Sequence, residues 1–256
     1  MWNCAFLATA SISTAAMTYV MPSATGWIGY TYGGILVSIG DIGLRDKADA
    51  VNYLKNTHGG MVEVNGQWYV FYHCQTNRRQ YARQCCAEPV QVLPDGSIPQ
   101  AEVTSCGLNG GAMPGQGSYP ARIACSLSSA HGVCSYIKPE EIVPKHPCFT
   151  QSGGDREGDG DQYIANPQNG AWAGFKYFTF TREEKTISAT VRGGGDGILY
   201  VTTERGGGTL AAEITVTPSS KWTEFSAPLS VKPGKAPLYF TYHGNGAVDL
   251  AAFDIE

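Results

Sequence analysis

Apolar and polar residues alternate with a period of two over much of the second half of this chain. Ile187, Ala189 and Val191 alternate with polar neighbours, and Leu199 and Val201 do the same. That is the pattern of strands buried on one face. From about His146 to Glu256 such runs recur between turn clusters such as GGGDG and RGGG, and the whole stretch reads as a β-sandwich with no helix of any length. In the first half, Met61–Val64 and Gln67–His73 are apolar-rich runs joined by Asn65-Gly66, a dipeptide that accepts the positive φ angles of a tight hairpin turn. A second pair is expected at Ala87–Leu93 and Ser97–Thr104. It turns through Pro94-Asp95-Gly96, where proline presets the entry and glycine takes the strained position.

Four short antiparallel strands in this length amount to one blade of a β-propeller. Upstream, Met1–Ala24 is apolar, interrupted by Ser and Thr, and carries no charge. It lacks the basic leading region and unbroken apolar run of a secretory signal, so the reading is two strands; bacterial secretion and a cytoplasmic location both stay open. Gly107–Gly117 has no lysine and hydroxyl pair to make it a phosphate loop, so it reads as a connector. Residues 119–145, with Pro120, Pro139 and Pro144, read as a strand and linker. The expected organisation is a partial propeller over 1–118, a linker or closing segment over 119–145, and a sandwich over 146–256.

Composition agrees with an all-β chain: of 256 residues, 32 are glycine, and charged residues are few. The net charge of −4 includes no basic patch, which argues against nucleic acid and against an anionic membrane surface. Eight cysteines occur without any C-x-x-C pair, so a zinc-finger arrangement is disfavoured, while disulfides and free thiols both remain open. No Gly-x-Ser-x-Gly elbow supports an esterase-type nucleophile.

Two family resemblances attach to particular residues. THGG, GQWYVFYH, QTN, CAEP, DGSIPQ and SCGLNGG, within Tyr32 to Cys125, resemble the last blade and closing segment of glycoside hydrolase family 43. Those enzymes are five-bladed propellers acting on arabinose- and xylose-containing plant polysaccharides. QYIANPQNGAWAGFKYF, ISATVRGGGDG, KWTEF and YFTYHGNGAVDLAAFDIE resemble carbohydrate-binding module family 6, a jelly-roll sandwich.

The first resemblance implies a hydrolase whose catalytic carboxylates lie in earlier blades. A five-bladed propeller needs roughly two to three hundred residues, and this chain supplies at most two blades. An inverting glycosidase needs an acid and a base carboxyl about 6.5–9.5 Å apart. Asp41, Asp46, Asp49, Glu63, Glu88 and Glu102 match no family catalytic position and read as solvated acids, so no catalytic residue is assigned. His58 matches a family histidine near the central channel, often beside a cation; the competing reading is a hydrogen-bonded core histidine. Arg78, Arg79 and Arg83 either line a sugar cleft or are solvated.

The second resemblance places the family's two sugar-stacking aromatics on Tyr163 and Trp222, which hold the apolar face of a pyranose between rings. Their structural alternatives are a loop anchor for Tyr163 and a core position for Trp222. Trp172 reads as core. Ala252 stands where the family has a sugar-binding asparagine, with Asn245 as a candidate substitute. A structural calcium is common in the family. Asp254 matches one of its ligands, whereas Gly154 stands where an acid of the first strand would help.

The resemblances therefore imply a protein that binds plant polysaccharide, xylan or arabinoxylan, and requires no cofactor. The alternative is an active arabinofuranosidase or xylosidase drawing catalytic carboxylates from elsewhere. An incomplete propeller also leaves open strand edges and an exposed apolar face, so it is expected either to pack against the sandwich or to self-associate.

Overall fold

The computed structural model describes residues 16–22, 30–53, 57–76, 82–133, 146–152 and 161–256. Strands β1 (Ala16–Pro22) and β2 (Tyr30–Ser38) form an antiparallel pair. The strand reading of the N-terminal region thus holds for residues 16–22; residues 1–15, with Cys4, lie outside the described residues.

Strands β3 (Gly60–Val64), β4 (Gln67–Gln75) and β5 (Arg83–Val90) form a three-stranded antiparallel sheet. The Asn65-Gly66 turn joins the first two, with φ of 52° and 83°, the left-handed region that favours these residues. The fourth strand expected at Ser97–Thr104 does not form. The turn closes, with Leu93 N–H donating to Ser97 O at 2.9 Å. Pro99 then has no N–H to donate to a ladder, and the chain leaves the sheet, touching β2 through a parallel bridge between Val37 and Ala101. A small core of Leu36, Val37, Val70, Tyr72, Val90, Ile98, Val103 and Cys125 fills this first unit.

The second unit is a sandwich of two sheets. Its strands are β6 (Met113–Pro114), β7 (Gly117–Pro120), β8 (Ser126–Ser128), β9 (Cys148–Gln151), β10 (Gln162–Ala165), β11 (Trp172–Phe180), β12 (Thr186–Gly193), β13 (Asp196–Thr202), β14 (Leu210–Val216), β15 (Ser219–Pro228), β16 (Gly234–Asn245) and β17 (Val248–Ile255). One sheet runs β15-β12-β17-β10-β9, with β7 also on β17; the other runs β14-β13-β16-β11-β6, with β8 also on β11. Between them Phe175, Phe178, Phe240 and Phe253 form one aromatic cluster, with Phe175 and Phe253 ring centroids 4.7 Å apart.

Residues 113–128, read from the sequence as the end of a connector followed by a strand and linker, supply β6, β7 and β8 to these sheets, with a 3-10 turn at Ala121–Ile123. Tyr119 explains why: its ring packs 5.0 Å from Phe178 and 5.4 Å from Phe253, burying apolar surface that a free tether would leave in water. Residues 134–145 lie outside the described residues.

The two units meet through buried charge. Lys176 Nζ, on β11, is 3.1 Å from Asp41 and 2.7 Å from Glu102, and the Tyr177 hydroxyl donates to both Glu102 oxygens. Burial works against the Lys176 ammonium, yet Cys125, Asp41 and Glu102 hold its pKa above the ordinary lysine value. Asp41 also accepts from Val103 N–H at 2.8 Å. Nearby, Glu88 is buried and accepts from Tyr72 Oη, Thr104 N and Thr104 Oγ1. The reading of Asp41 and Glu88 as solvated acids is therefore corrected: both sit in the interior, satisfied by partners distant in sequence.

Candidate functional site

The outer face of the β14-β13-β16-β11 sheet carries a cleft of about 970 Å³. Strict alternation builds it. Along β16, Leu238, Phe240 and Tyr242 turn into the core, so Tyr239, Thr241 and His243 turn outward. Along β13, Leu199 and Val201 point in and Tyr200 out. Cross-strand register then sets Tyr200 opposite Thr241 and Thr241 opposite Trp172, a row across three strands.

Trp172 meets Tyr239 edge to face at 5.9 Å, and Tyr200 meets His243 at 5.5 Å. Gly174 makes room for this arrangement: a Cβ there would lie 2.6 Å from the Tyr239 ring. The loop between β13 and β14 forms one wall through Arg205 and Gly206–Gly208; Gly206 and Gly207 adopt φ of 82° and 94°. Burial raises the Tyr239 pKa, so the phenol stays protonated and able to donate.

The first unit reaches this wall. Arg205 Nη2 is ion-paired with Asp49, and Arg45 Nη1 pairs with the same carboxylate at 2.8 Å. The hydrogen bond from Arg205, and after it that from Arg45, holds the exposed Asp49 carboxyl below its ordinary pKa. The Arg205 guanidinium carbon lies 5.9 Å from the Trp172 ring centroid.

Trp172 is thus half-buried on an outer face rather than in the core, contrary to the sequence reading. β11 has a register shift between Phe175 and Phe178. It lets Phe175 and Phe178 both face inward while Trp172 and Tyr177 remain partly exposed, so the spacing of aromatics in WAGFKYFTF does not reveal which ring is inside. The outward partners Tyr200 and Tyr239 were legible as the alternates of Leu199 and Leu238.

Tyr163 and Trp222 are brought together on the outer face of the opposite sheet, their ring centroids 5.3 Å apart at 71°. Neither is fully buried. Arg192 lies against both, its guanidinium carbon 4.7 Å from the Tyr163 centroid and 4.2 Å from that of Trp222, and it pairs with Asp249 at 3.1 Å. Clamping a pyranose between two parallel faces needs two van der Waals contacts, about 7–8 Å in all. The observed pair is closer and edge to face. A shallow cleft of about 510 Å³ adjoins it, lined by Arg192, Gly193, Gly194, Pro218, Ser219, Ser220 and Asp249. Asn245 lies at the end of β16, in the other sheet, and its carbonyl accepts from the Tyr242 hydroxyl at 2.6 Å.

His58 is exposed, with its ring 4.5 Å from that of His73. Arg83 Nη1 is 3.4 Å from its Nε2, and a guanidinium there opposes a cation. Asp254, on β17, stands opposite Ser188 and Ser118. Among the described residues no three His, Cys, Asp or Glu side chains converge as a metal site. Arg78, Arg79 and the segment 153–160, with Gly154, lie outside the described residues. Of the described cysteines, Cys74, Cys85, Cys86, Cys106 and Cys125 are free thiols, and the Cys74 and Cys86 sulfurs are 3.6 Å apart.

The fold is all-β, part of a propeller followed by a jelly-roll sandwich. No family model matches the sequence. The chain is 41% identical over 232 residues to a protein named xylosidase/arabinosidase from Thermoclostridium stercorarium; the match covers 89% of this chain and 48% of that protein. In structure it is similar to a glycoside hydrolase family 43 arabinoxylan arabinofuranohydrolase from Bacillus subtilis, at TM-score 0.52 and 17% identity, covering 98% of this chain and 50% of that one. A family 6 carbohydrate-binding module from Clostridium cellulolyticum aligns with 56% of this chain at TM-score 0.45 and 14% identity. The fold read from the sequence, a partial propeller joined to a sandwich, therefore stands, and the similarity to a protein named xylosidase/arabinosidase accords with the family 43 resemblance. The chain spans about half the length of the xylosidase/arabinosidase it matches.

Proposed function

We propose that this chain binds a plant polysaccharide of the xylan or arabinoxylan type, and that the main contact is the cleft over β11, β16 and β13. The observation that carries this reading is the row of outward rings Trp172, Tyr239 and Tyr200, with His243, along one cleft. Stacking suits the C–H face of a sugar, and the hydroxyls of Tyr200, Tyr239 and Thr241 suit its rim. Sequence similarity to a protein named xylosidase/arabinosidase supports the class of glycan.

Tyr163 and Trp222 form a second, weaker contact, reached on one ring face unless Arg192 swings away. A calcium ion held with the help of Asp254 remains a proposal of the family resemblance; the Arg83 neighbour disfavours His58 as its partner. Hydrolysis is assigned to no residue: Asp41 and Glu102 are tied to Lys176, and Glu88 to Tyr72 and Thr104. Native gels cast with arabinoxylan test the reading. Retarded migration that is lost in Trp172→Ala supports it, and unretarded wild type contradicts it. Aryl arabinofuranoside and xyloside turnover, measured on the same samples, reports on hydrolysis.

A further inference from the structure

We propose that the Trp172 cleft recognises a glycan bearing carboxylate groups, a uronic-acid-substituted polysaccharide, with Arg205 binding the carboxylate. This rests on the glycan-binding reading above and narrows it. Three features of the cleft support it.

The first is the balance of charge. Arg205 is the one fully ionised side chain among the described residues lining the cleft; His243 adds an imidazole, and no Asp, Glu, Asn or Gln lines it. A neutral sugar presents hydroxyls that both donate and accept, and sites for it profit from carboxylate or amide acceptors. A uronate carboxylate only accepts. The groups here are a guanidinium and hydroxyls, which are able to donate to it.

The second is the anchoring of Arg205. Asp49 holds one edge of the guanidinium from the first unit, and Arg45 shares that carboxylate. Two guanidinium groups share that one carboxylate, while the Glu204 carboxylate lies against Gly208 in the same loop. Pairing through Nη2 leaves the other N–H groups of Arg205 available, with the side chain already restrained. The planar fork matches a carboxylate better than an ammonium would.

The third is placement. The Arg205 guanidinium carbon is 5.9 Å from the Trp172 ring centroid. A sugar stacked on Trp172 would therefore set an exocyclic carboxylate, or a uronic acid on the neighbouring residue of the chain, within reach of the fork.

The test is calorimetric titration of the full chain with xylo-oligosaccharides carrying one methylglucuronic acid, against unsubstituted ones of equal length. Wild type is expected to bind the acidic ligand about tenfold or more tightly, as a charge-assisted hydrogen bond allows. The preference should shrink as salt rises from roughly 0.02 to 0.5 M, since the site is partly exposed. Arg205→Gln should erase the preference, so that the acidic and neutral ligands bind within about twofold of each other, and Arg205→Lys should keep only part of it. Equal affinity of wild type for both ligands, or a preference that survives in Arg205→Gln with an unchanged melting transition, would overturn the proposal while leaving the glycan-binding reading intact. Binding of neither ligand would remove both.

Discussion

Lys176 Nζ lies 3.1 Å from Asp41 Oδ2, and the two side chains are only 4% and 1% exposed. They are separated by 135 residues, one in the sandwich and one in the first unit. A buried pair of this kind contributes little relative to a well-packed apolar pair, but removing one partner strands the other charge at a cost of about 3–5 kcal/mol. Lys176→Ala should therefore lose about that much stability in urea unfolding, whereas Glu102→Gln, at a carboxylate 37% exposed, should lose about 1 kcal/mol or less. Equal and small losses would mean that the network does not tie the units together.

Glu88 supplies a pH dependence. Burial raises its pKa from 4.5 to about 7, against the hydrogen bonds from Thr104 and Tyr72 that favour the carboxylate. A carboxyl with a raised folded pKa holds its proton in the native chain where the unfolded chain has released it. Stability is then greatest below pH 4.5 and falls as pH rises through about 7, by at most about 3 kcal/mol at about 1.4 kcal/mol per pH unit. Glu88→Gln should flatten this component of the profile between those limits. An unchanged slope in the variant would assign the dependence to other groups.

β3 is an edge of its three-stranded sheet, and Val62 and Val64 on it are 44% and 47% exposed. Unpaired edges with apolar residues pair with other chains. The protein should self-associate with increasing concentration in sedimentation velocity, and Val62→Lys should shift it toward monomer. A wild type that remains monomeric across the range would contradict this.

The sequence carried the strands better than the faces. Alternation in β12 and β13 and the Asn65-Gly66 turn were readable because period and turn chemistry are local. Pro99 was equally local, yet the turn before it suggested a strand that proline then prevents. The burial of Asp41 and Glu88 was not readable, since Lys176 and Thr104 reach them only through the tertiary fold. Tyr163 and Trp222 do lie side by side, but edge to face rather than as two faces of a clamp, and Arg192, which lies against both rings, had no signal in the sequence beyond its place in an alternating strand.

Trp222 makes a prediction of its own. Its ring is half-buried against Tyr163 and Arg192, outside the sandwich core. Trp222→Ala should cost about 1–2 kcal/mol of stability, the loss of one exposed cation–π contact and partial area, instead of the roughly 3–5 kcal/mol of a core deletion. Thermal melts of the variant decide between the two. Arg192→Ala should bare both ring faces and strengthen glycan binding at this second contact.

The most direct test of the account is the affinity of wild type, Trp172→Ala and Trp222→Ala for arabinoxylan oligosaccharides, measured by calorimetry alongside melting curves. The cleft reading predicts that Trp172→Ala loses about tenfold or more in affinity, a stacking contact and its buried area, with its melting transition largely kept, while Trp222→Ala changes affinity by about threefold or less. Full binding by Trp172→Ala, with loss confined to Trp222→Ala, would move the site to the opposite sheet and contradict the account.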